Sequence, residues 1–244
     1  MNRPSQTSNR YISELPGTII VVPTSMTPPV EPILSLMKIE VITVGPYQVN
    51  CSIVWREGNQ ALVIDPGYDA PLIQSCLDAN GLTVSAYLLT HGHADHISAL
   101  ADLHAVRPAP VYMHAGDERW AFGPSNQLPP YYPVPKKPDV EILHPEVSNV
   151  LKIEDLSFQT LETPGHTPGG VCYWFEEENL CVTGDTLFKG SCGRTDLPGG
   201  DARTLSASLK KLALLPPETR IIAGHGEETT IAHELKTNFF LRPR

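Results

Sequence analysis

Within the seven residues Thr90-His91-Gly92-His93-Ala94-Asp95-His96 the chain carries three histidines and an aspartate. The run follows the apolar stretch Val84–Leu89, which reads as a short buried strand, and opens a helix expected from about Asp95 to Arg107. Four potential ligands therefore converge at one strand end. Neutral imidazole and carboxylate suit zinc, iron or manganese. Gly92 lets the backbone fold tightly enough for two imidazoles to approach one ion.

Three other turns are built on the same plan: Pro164-Gly165-His166-Thr167-Pro168-Gly169, Thr183-Gly184-Asp185-Thr186 and Ala223-Gly224-His225-Gly226. Each follows or ends an apolar strand and sets one His or Asp among small residues, so its side chain can reach a shared point without crowding. With His91, His93, Asp95 and His96 these turns supply seven ligands, enough for two ions that share a carboxylate. His104, His114, His144 and His233 fall outside this pattern and are assigned no chemistry.

The stretches between the turns indicate the architecture. Lys38–Val44, Val49–Trp55 and Ala61–Ile64 are β-branched runs punctuated by Gly45-Pro46, Gly58-Asn59 and Asp65-Pro66-Gly67, a strand meander. Leu72, Ile73, Cys76 and Leu77 fall at helical spacing before Gly81, and a strand is expected at Val111–Met113. Strands resume at Leu156–Leu161, Val171–Phe175, Leu180–Thr183 and Arg220–Ala223, with helices near 202–215 and 231–237. Two packed sheets flanked by helices, an α+β sandwich of αββα type, would bury these runs. Residues 115–150 hold seven prolines with Trp120, Tyr131 and Tyr132 among them, and read as a long surface loop beside the site. Residues 1–36, with six prolines and no periodicity, read as a disordered extension to a domain spanning 37–244.

Composition narrows the function classes. Lys+Arg 18 against Asp+Glu 27 gives −9, the wrong sign for a chain that grips a phosphate backbone, so nucleic acid is not an expected partner. The longest apolar runs, such as Ile19–Val22, are far shorter than the roughly 20 residues that cross a bilayer, so no membrane partner is expected either. Five cysteines, an odd number without a C-x-x-C pair, fit reduced thiols in a cytoplasmic protein.

The ordered set H-x-H-x-D-H, Pro-Gly-His-Thr, Gly-Asp and Gly-His-Gly resembles the metallo-β-lactamase superfamily over essentially all of 37–244. Within it the chain looks most like the short form of glyoxalase II, the hydroxyacylglutathione hydrolases. The supporting stretches are Asn50–Trp55, Asp65-Pro66-Gly67 and Thr183–Gly190. The resemblance implies His91, His93 and His166 on one metal, Asp95, His96 and His225 on a second, and Asp185 bridging both. It makes Asp65 a support of the ligand loop. It implies two divalent ions, zinc first with iron or manganese as alternatives, and a small-molecule thioester as substrate.

Such a pair of cations turns a bridging water into hydroxide near neutral pH, with Asp95 orienting it, and takes up the charge of the tetrahedral intermediate. A thioester suits this chemistry because its thiolate leaves without a strong acid. The segment Gly190–Asp196 departs from the longer glyoxalase II pattern: Arg194 could stand in for a lysine that holds glutathione, while Asp196 occupies a tyrosine position. Arg194 and Cys192 are therefore substrate-contact candidates, with an ion pair from Arg194 to Asp196 or Asp201 and a buried Cys192 as the plainer readings. Cys192 and Arg194 also resemble the persulfide dioxygenases of the same fold, where His91, His166 and Asp185 would hold a single iron. A zinc-dependent nuclease or phosphodiesterase using the seven ligands is disfavoured by the acidic charge.

Overall fold

The computed structural model describes residues 36–147 and 149–241, so the extension expected over 1–36 lies, apart from Leu36, outside the described residues. The first half runs β1 (Lys38–Val44), β2 (Val49–Trp55), β3 (Gln60–Ile64), α1 (Ala70–Ala79), β4 (Thr83–Leu88), α2 (Ala94–Ile97), α3 (Leu100–Val106), β5 (Val111–Tyr112), α4 (Ala115–Ala121) and β6 (Ile142–Leu143). The second half runs β7 (Val150–Ile153), β8 (Leu156–Glu162), β9 (Val171–Phe175), β10 (Leu180–Gly184), β11 (Leu187–Phe188), β12 (Ser191–Cys192), α5 (Ala202–Leu212), β13 (Arg220–Ala223), β14 (Thr229–Thr230) and α6 (Ile231–Thr237). One six-stranded sheet takes the order β1-β2-β3-β4-β5-β6 and the other β14-β13-β10-β9-β8-β7. Each is mixed: β1, β2 and β3 are antiparallel neighbours while β3 to β6 are parallel, and in the second sheet the β10–β13 pair alone is parallel.

The two-residue period of the strands builds three hydrophobic layers. Val54, Leu62, Ile64, Ala86 and Leu88 of the first sheet face Phe158, Val171, Tyr173, Phe175 and Val182 of the second, making the layer between the sheets. Their sequence neighbours Ile53, Ala61, Val63 and Tyr87 point the other way and pack with Ile73, Leu77, Leu100 and Leu103 of α1 and α3. On the far side Cys172, Cys181 and Ile221 pack against Leu205, Leu209 and Leu212 of α5. Each fully buried aliphatic side chain in these layers contributes ~1.5–3 kcal/mol, so the sandwich is a stiff frame for the strand ends. This is the αββα arrangement expected from the sequence.

Two expectations are corrected. The helix expected over Asp95–Arg107 is two short helices, α2 and α3, because the Ala99 N–H is drawn to the Pro66 carbonyl at 3.1 Å and Ser98 Oγ bonds the Ala94 carbonyl. The Pro-rich stretch 115–150 is not a plain loop. It contains α4, whose first turn is capped by the His114 side chain accepting from Gly116 N, and β6, which extends the first sheet. All five cysteines are free thiols. No helix among the described residues is long and apolar enough to cross a membrane.

Candidate metal centre

The four ligand turns lie at the carboxyl ends of β4, β8, β10 and β13, the first from one sheet and the other three from its partner. Strand ends of this kind present side chains and free backbone groups to a crevice. Here they bring two groups together, His91, His93 and His166 in one and Asp95, His96 and His225 in the other, each with ligand atoms within 4.8 Å of one another. His93 Nδ1 and His166 Nε2 are 2.9 Å apart. Asp95 Oδ2 lies 3.5 Å from His225 Nε2 and 3.9 Å from His96 Nε2. Asp185 reaches both groups: its Oδ2 is 3.5 Å from His166 Nε2 and 3.6 Å from His225 Nε2, and its Oδ1 is 3.4 Å from His96 Nε2.

Four of the imidazoles are fixed by what their Nδ1 atoms meet. His166 Nδ1 donates to the Arg194 carbonyl at 2.8 Å and His225 Nδ1 to the Tyr47 carbonyl at 2.9 Å. A carbonyl only accepts, so each Nδ1 carries a hydrogen and Nε2 is the ring nitrogen that faces the site. His96 Nδ1 donates to Asp65 Oδ2 at 3.0 Å. Thr90 Oγ1 donates to the same carboxylate at 2.6 Å and receives His91 Nδ1 at 3.1 Å. Asp65 is therefore occupied from behind, bonded to His96 directly and to His91 through a hydroxyl.

The inward atoms are short of partners. His91 Nε2, His96 Nε2 and Asp185 Oδ1 are buried without a hydrogen bond. A buried unpaired polar atom costs about 1–3 kcal/mol, and two of these, His96 Nε2 and Asp185 Oδ1, face each other at 3.4 Å. A cation between them satisfies such atoms together, so this donor set fits divalent metal.

Charge divides the two groups. Burial, reinforced by His96, His93 and His166, holds His91 well below the ordinary imidazole range, and burial with His166 nearby lowers His93 to about 4. In the other group burial again opposes the charged form, but Asp185 and Asp95 overcome it and hold His96 well above its ordinary value. His225 is likewise raised against burial, by Asp95 and Asp185. Asp185 and Asp95 are both pushed down by His96 and its neighbours despite their burial.

Close backbone approach completes the site. A Cβ on Gly224 would stand 2.2 Å from Asp185 Oδ1 and 2.7 Å from His96 Cε1, so only glycine lets the His225 turn pass this close to the shared carboxylate.

Several supporting residues were not singled out by the sequence reading. Asn50 Nδ2 bonds the carbonyls of Ala223 and Gly226 at 3.0 and 2.9 Å and so grips the His225 turn, although the stretch around it counted only as part of a resemblance. Asn126 accepts from Ala94 N at 3.0 Å and donates to the Gly92 carbonyl at 2.7 Å. Asp117 also bonds the ligand turns, yet in sequence it is an acidic residue in the first turn of a helix, where acids are common without function. The Trp120 ring lies 5.4 Å from that of His93 and the Phe188 ring 6.1 Å from that of His225, so aromatic side chains flank both groups. The Arg194 side chain is exposed and doubly bonded to Asp196, each bond 2.7 Å, while its carbonyl holds His166. Cys192 is half-buried and burial raises its thiol.

Two mixed sheets thus deliver a three-histidine group and an aspartate–histidine group onto one carboxylate, the donor set of a metal centre. The chain belongs to the metallo-beta-lactamase superfamily, whose model matches residues 44–225. It is 36% identical to the hydroxyacylglutathione hydrolase GloC of Haemophilus influenzae over 85% of this chain and 100% of that one. Among solved structures it is similar to the BLEG-1 B3 metallo-beta-lactamase, with a TM-score of 0.79 and 37% identity over 84% of this chain and 100% of that one. It is similar also to TTHA1623 in a di-iron-bound form, with a TM-score of 0.71 and 37% identity over 83% and 100%.

Proposed function

We propose that the chain hydrolyses small-molecule thioesters, S-lactoylglutathione or a related acyl thiol, with two divalent cations. His91, His93 and His166 hold one, Asp95, His96 and His225 hold the other, and Asp185 serves both. The observation that carries this reading is the position of Asp185, within 3.5 Å of His166 and 3.6 Å of His225 through one oxygen, so that the two groups form a single site. Two cations held there supply a water that ionises near neutral pH and a positive partner for the charge that grows on a carbonyl oxygen. The residues of the chain do the rest. Asp65, Arg194 and Tyr47 hold the imidazoles in the tautomer that points Nε2 inward. Asp95, which faces His225, is placed to accept a hydrogen bond from the attacking water and so to aim it.

The thiolate of a thioester leaves unaided near neutral pH, since a free thiol ionises at about 8.5. The likeness to a protein named hydroxyacylglutathione hydrolase supports this substrate class. Zinc is the first choice of metal, with iron or manganese equally compatible with His and Asp donors. The mononuclear-iron dioxygenase alternative uses His91, His166 and Asp185 and leaves Asp95, His96 and His225 without work, which counts against it.

Zinc-loaded and iron-loaded samples assayed anaerobically for thiol release from S-lactoylglutathione, and aerobically for oxygen uptake with glutathione persulfide, test the proposal. Anaerobic thioester turnover is expected. Oxygen consumption matching persulfide, with no thioester turnover in either metal form, would overturn it, and turnover of a β-lactam alone would move the substrate class.

A further inference from the structure

Asp117, on α4, has a side chain with no solvent exposure, and both its oxygens are spent on the two turns that carry the first ligand group. Oδ2 accepts from Gly92 N at 2.9 Å, between His91 and His93, and from Thr167 Oγ1 at 2.7 Å, beside His166. Oδ1 accepts from Gly169 N at 2.7 Å, three residues beyond His166. One rigid carboxylate thus bonds a turn from each sheet. The helix that bears it sits tightly against the second turn: a Cβ on Gly169 would stand 2.6 Å from Asp117 N. Asn126, by comparison, bonds Gly92 and Ala94 of the first turn and Ala121 of α4, and the Asp185 to His225 side is gripped by Asn50.

The geometry points to Asp117 as the positioning residue that sets the spacing of His91 and His93 against His166, and through it the affinity of the first cation, without touching that cation. Three donors converge on it, and a carboxylate is an acceptor at both oxygens. An amide of the same size would present an NH2 group to at least one of these donors and push the turns apart. Outer partners that orient ligands in this way change metal affinity by about 10–100-fold when they are removed. Asp117 has this role only if the seven residues hold cations, the reading proposed above.

The full chain allows the two to be separated. The His225→Ala chain retains the His91, His93 and His166 group, and the His91→Ala chain retains the Asp95, His96 and His225 group. Zinc affinity is measured in each by competition with a chromophoric chelator, with and without Asp117→Asn, alongside the visible spectrum of the cobalt(II) forms and the melting temperature of the metal-free forms. The expected result is a loss of about 10–100-fold in the His225→Ala background. In the His91→Ala background the loss should be under about threefold. A changed cobalt(II) spectrum should appear in the first background alone.

Thr167→Val, which deletes one of the three donors, should give the same pattern at smaller size. If Asp117→Asn does not fold, the Thr167→Val pair decides the matter by itself. Equal weakening in the two backgrounds, or none, overturns the positioning role. A wild-type chain that takes up neither zinc nor cobalt breaks the cation reading and the role of Asp117 with it. A wild-type chain that binds two ions, beside variants that bind them evenly, breaks the role alone.

Discussion

The two ligand groups share one carboxylate and otherwise live in different surroundings. His91, His93 and His166 are three imidazoles, and the His166 side chain is 5% exposed. Burial and mutual repulsion keep His91 and His93 neutral. Asp95, His96 and His225 mix acid with base, the His225 side chain is 28% exposed, and the acids raise both His96 and His225 above the ordinary imidazole range. His91 and His93 are thus biased towards neutral donors, and His96 and His225 towards protonated forms with which a cation would compete. Neutral imidazoles clustered by a fold are ready to bind at a cost already met during folding. An imidazolium among carboxylates is stable without metal, so its occupancy depends on pH.

The largest test of this contrast is the residue that spans it. Asp185→Asn should strip both ions and lower thioester hydrolysis by about a thousandfold, roughly 4 kcal/mol of transition-state stabilisation, checked by elemental analysis and steady-state rates. Retention of two ions would show that the groups bind independently. His225→Ala should remove one ion and lower the rate by at least about tenfold, about 1.4 kcal/mol, while the other ion stays.

Proton release is the next test. Calorimetry in buffers of different ionisation enthalpy should show the ion of the second group releasing more protons near neutral pH than that of the first. Equal release would erase the contrast.

The pH dependence of the chelated protein gives a third, smaller effect. His93 takes up its proton near 6.5 when unfolded and at about 4 when folded, so the folded state loses stability as pH falls from about 6.5 to about 4. His96 and His225 have raised folded values, so their contribution is fully present below about 6.5 and is lost as pH rises through those values. Melting temperatures of chelated His93→Asn should flatten the acid limb, and those of His225→Asn the alkaline one. The smallest effect belongs to Arg194→Ala, whose guanidinium is in an exposed pair with Asp196: metal content should hold and the rate should change by no more than about twofold. A selective rise in KM for S-lactoylglutathione would instead give Arg194 a substrate contact.

The sandwich and the seven candidate ligands were legible because both are written at short range. The apolar, β-branched runs in 49–55 and 61–64 announce strands buried on both faces, and His91 to His96 fit within one turn. What escaped depends on contacts made across the fold. The break between α2 and α3 comes from Pro66, more than thirty residues away, taking the Ala99 N–H. Asp117 and Asn126 sit among prolines that signal a loop, and nothing local marks their bonds to Gly92, 25 and 34 positions off in sequence. The very short strands β11, β12 and β14 hold two residues each, too few for any periodicity to show.

The clasp by which Asn50 holds Gly226 joins groups 176 positions apart in sequence, whereas the His93 to His166 contact spans 73. Chain segments that far apart meet late, because closing the larger loop costs more entropy before any contact rewards it. On this ground the first group is expected to assemble before the second, which needs the β13 turn docked on the β1–β2 hairpin. The same edge should also be the first to open. The Asn50 amide, bonded to the Gly224 carbonyl at 2.8 Å, is therefore expected to exchange its hydrogen faster than the ladder amides of β9 and β10, with zinc slowing it towards their rate.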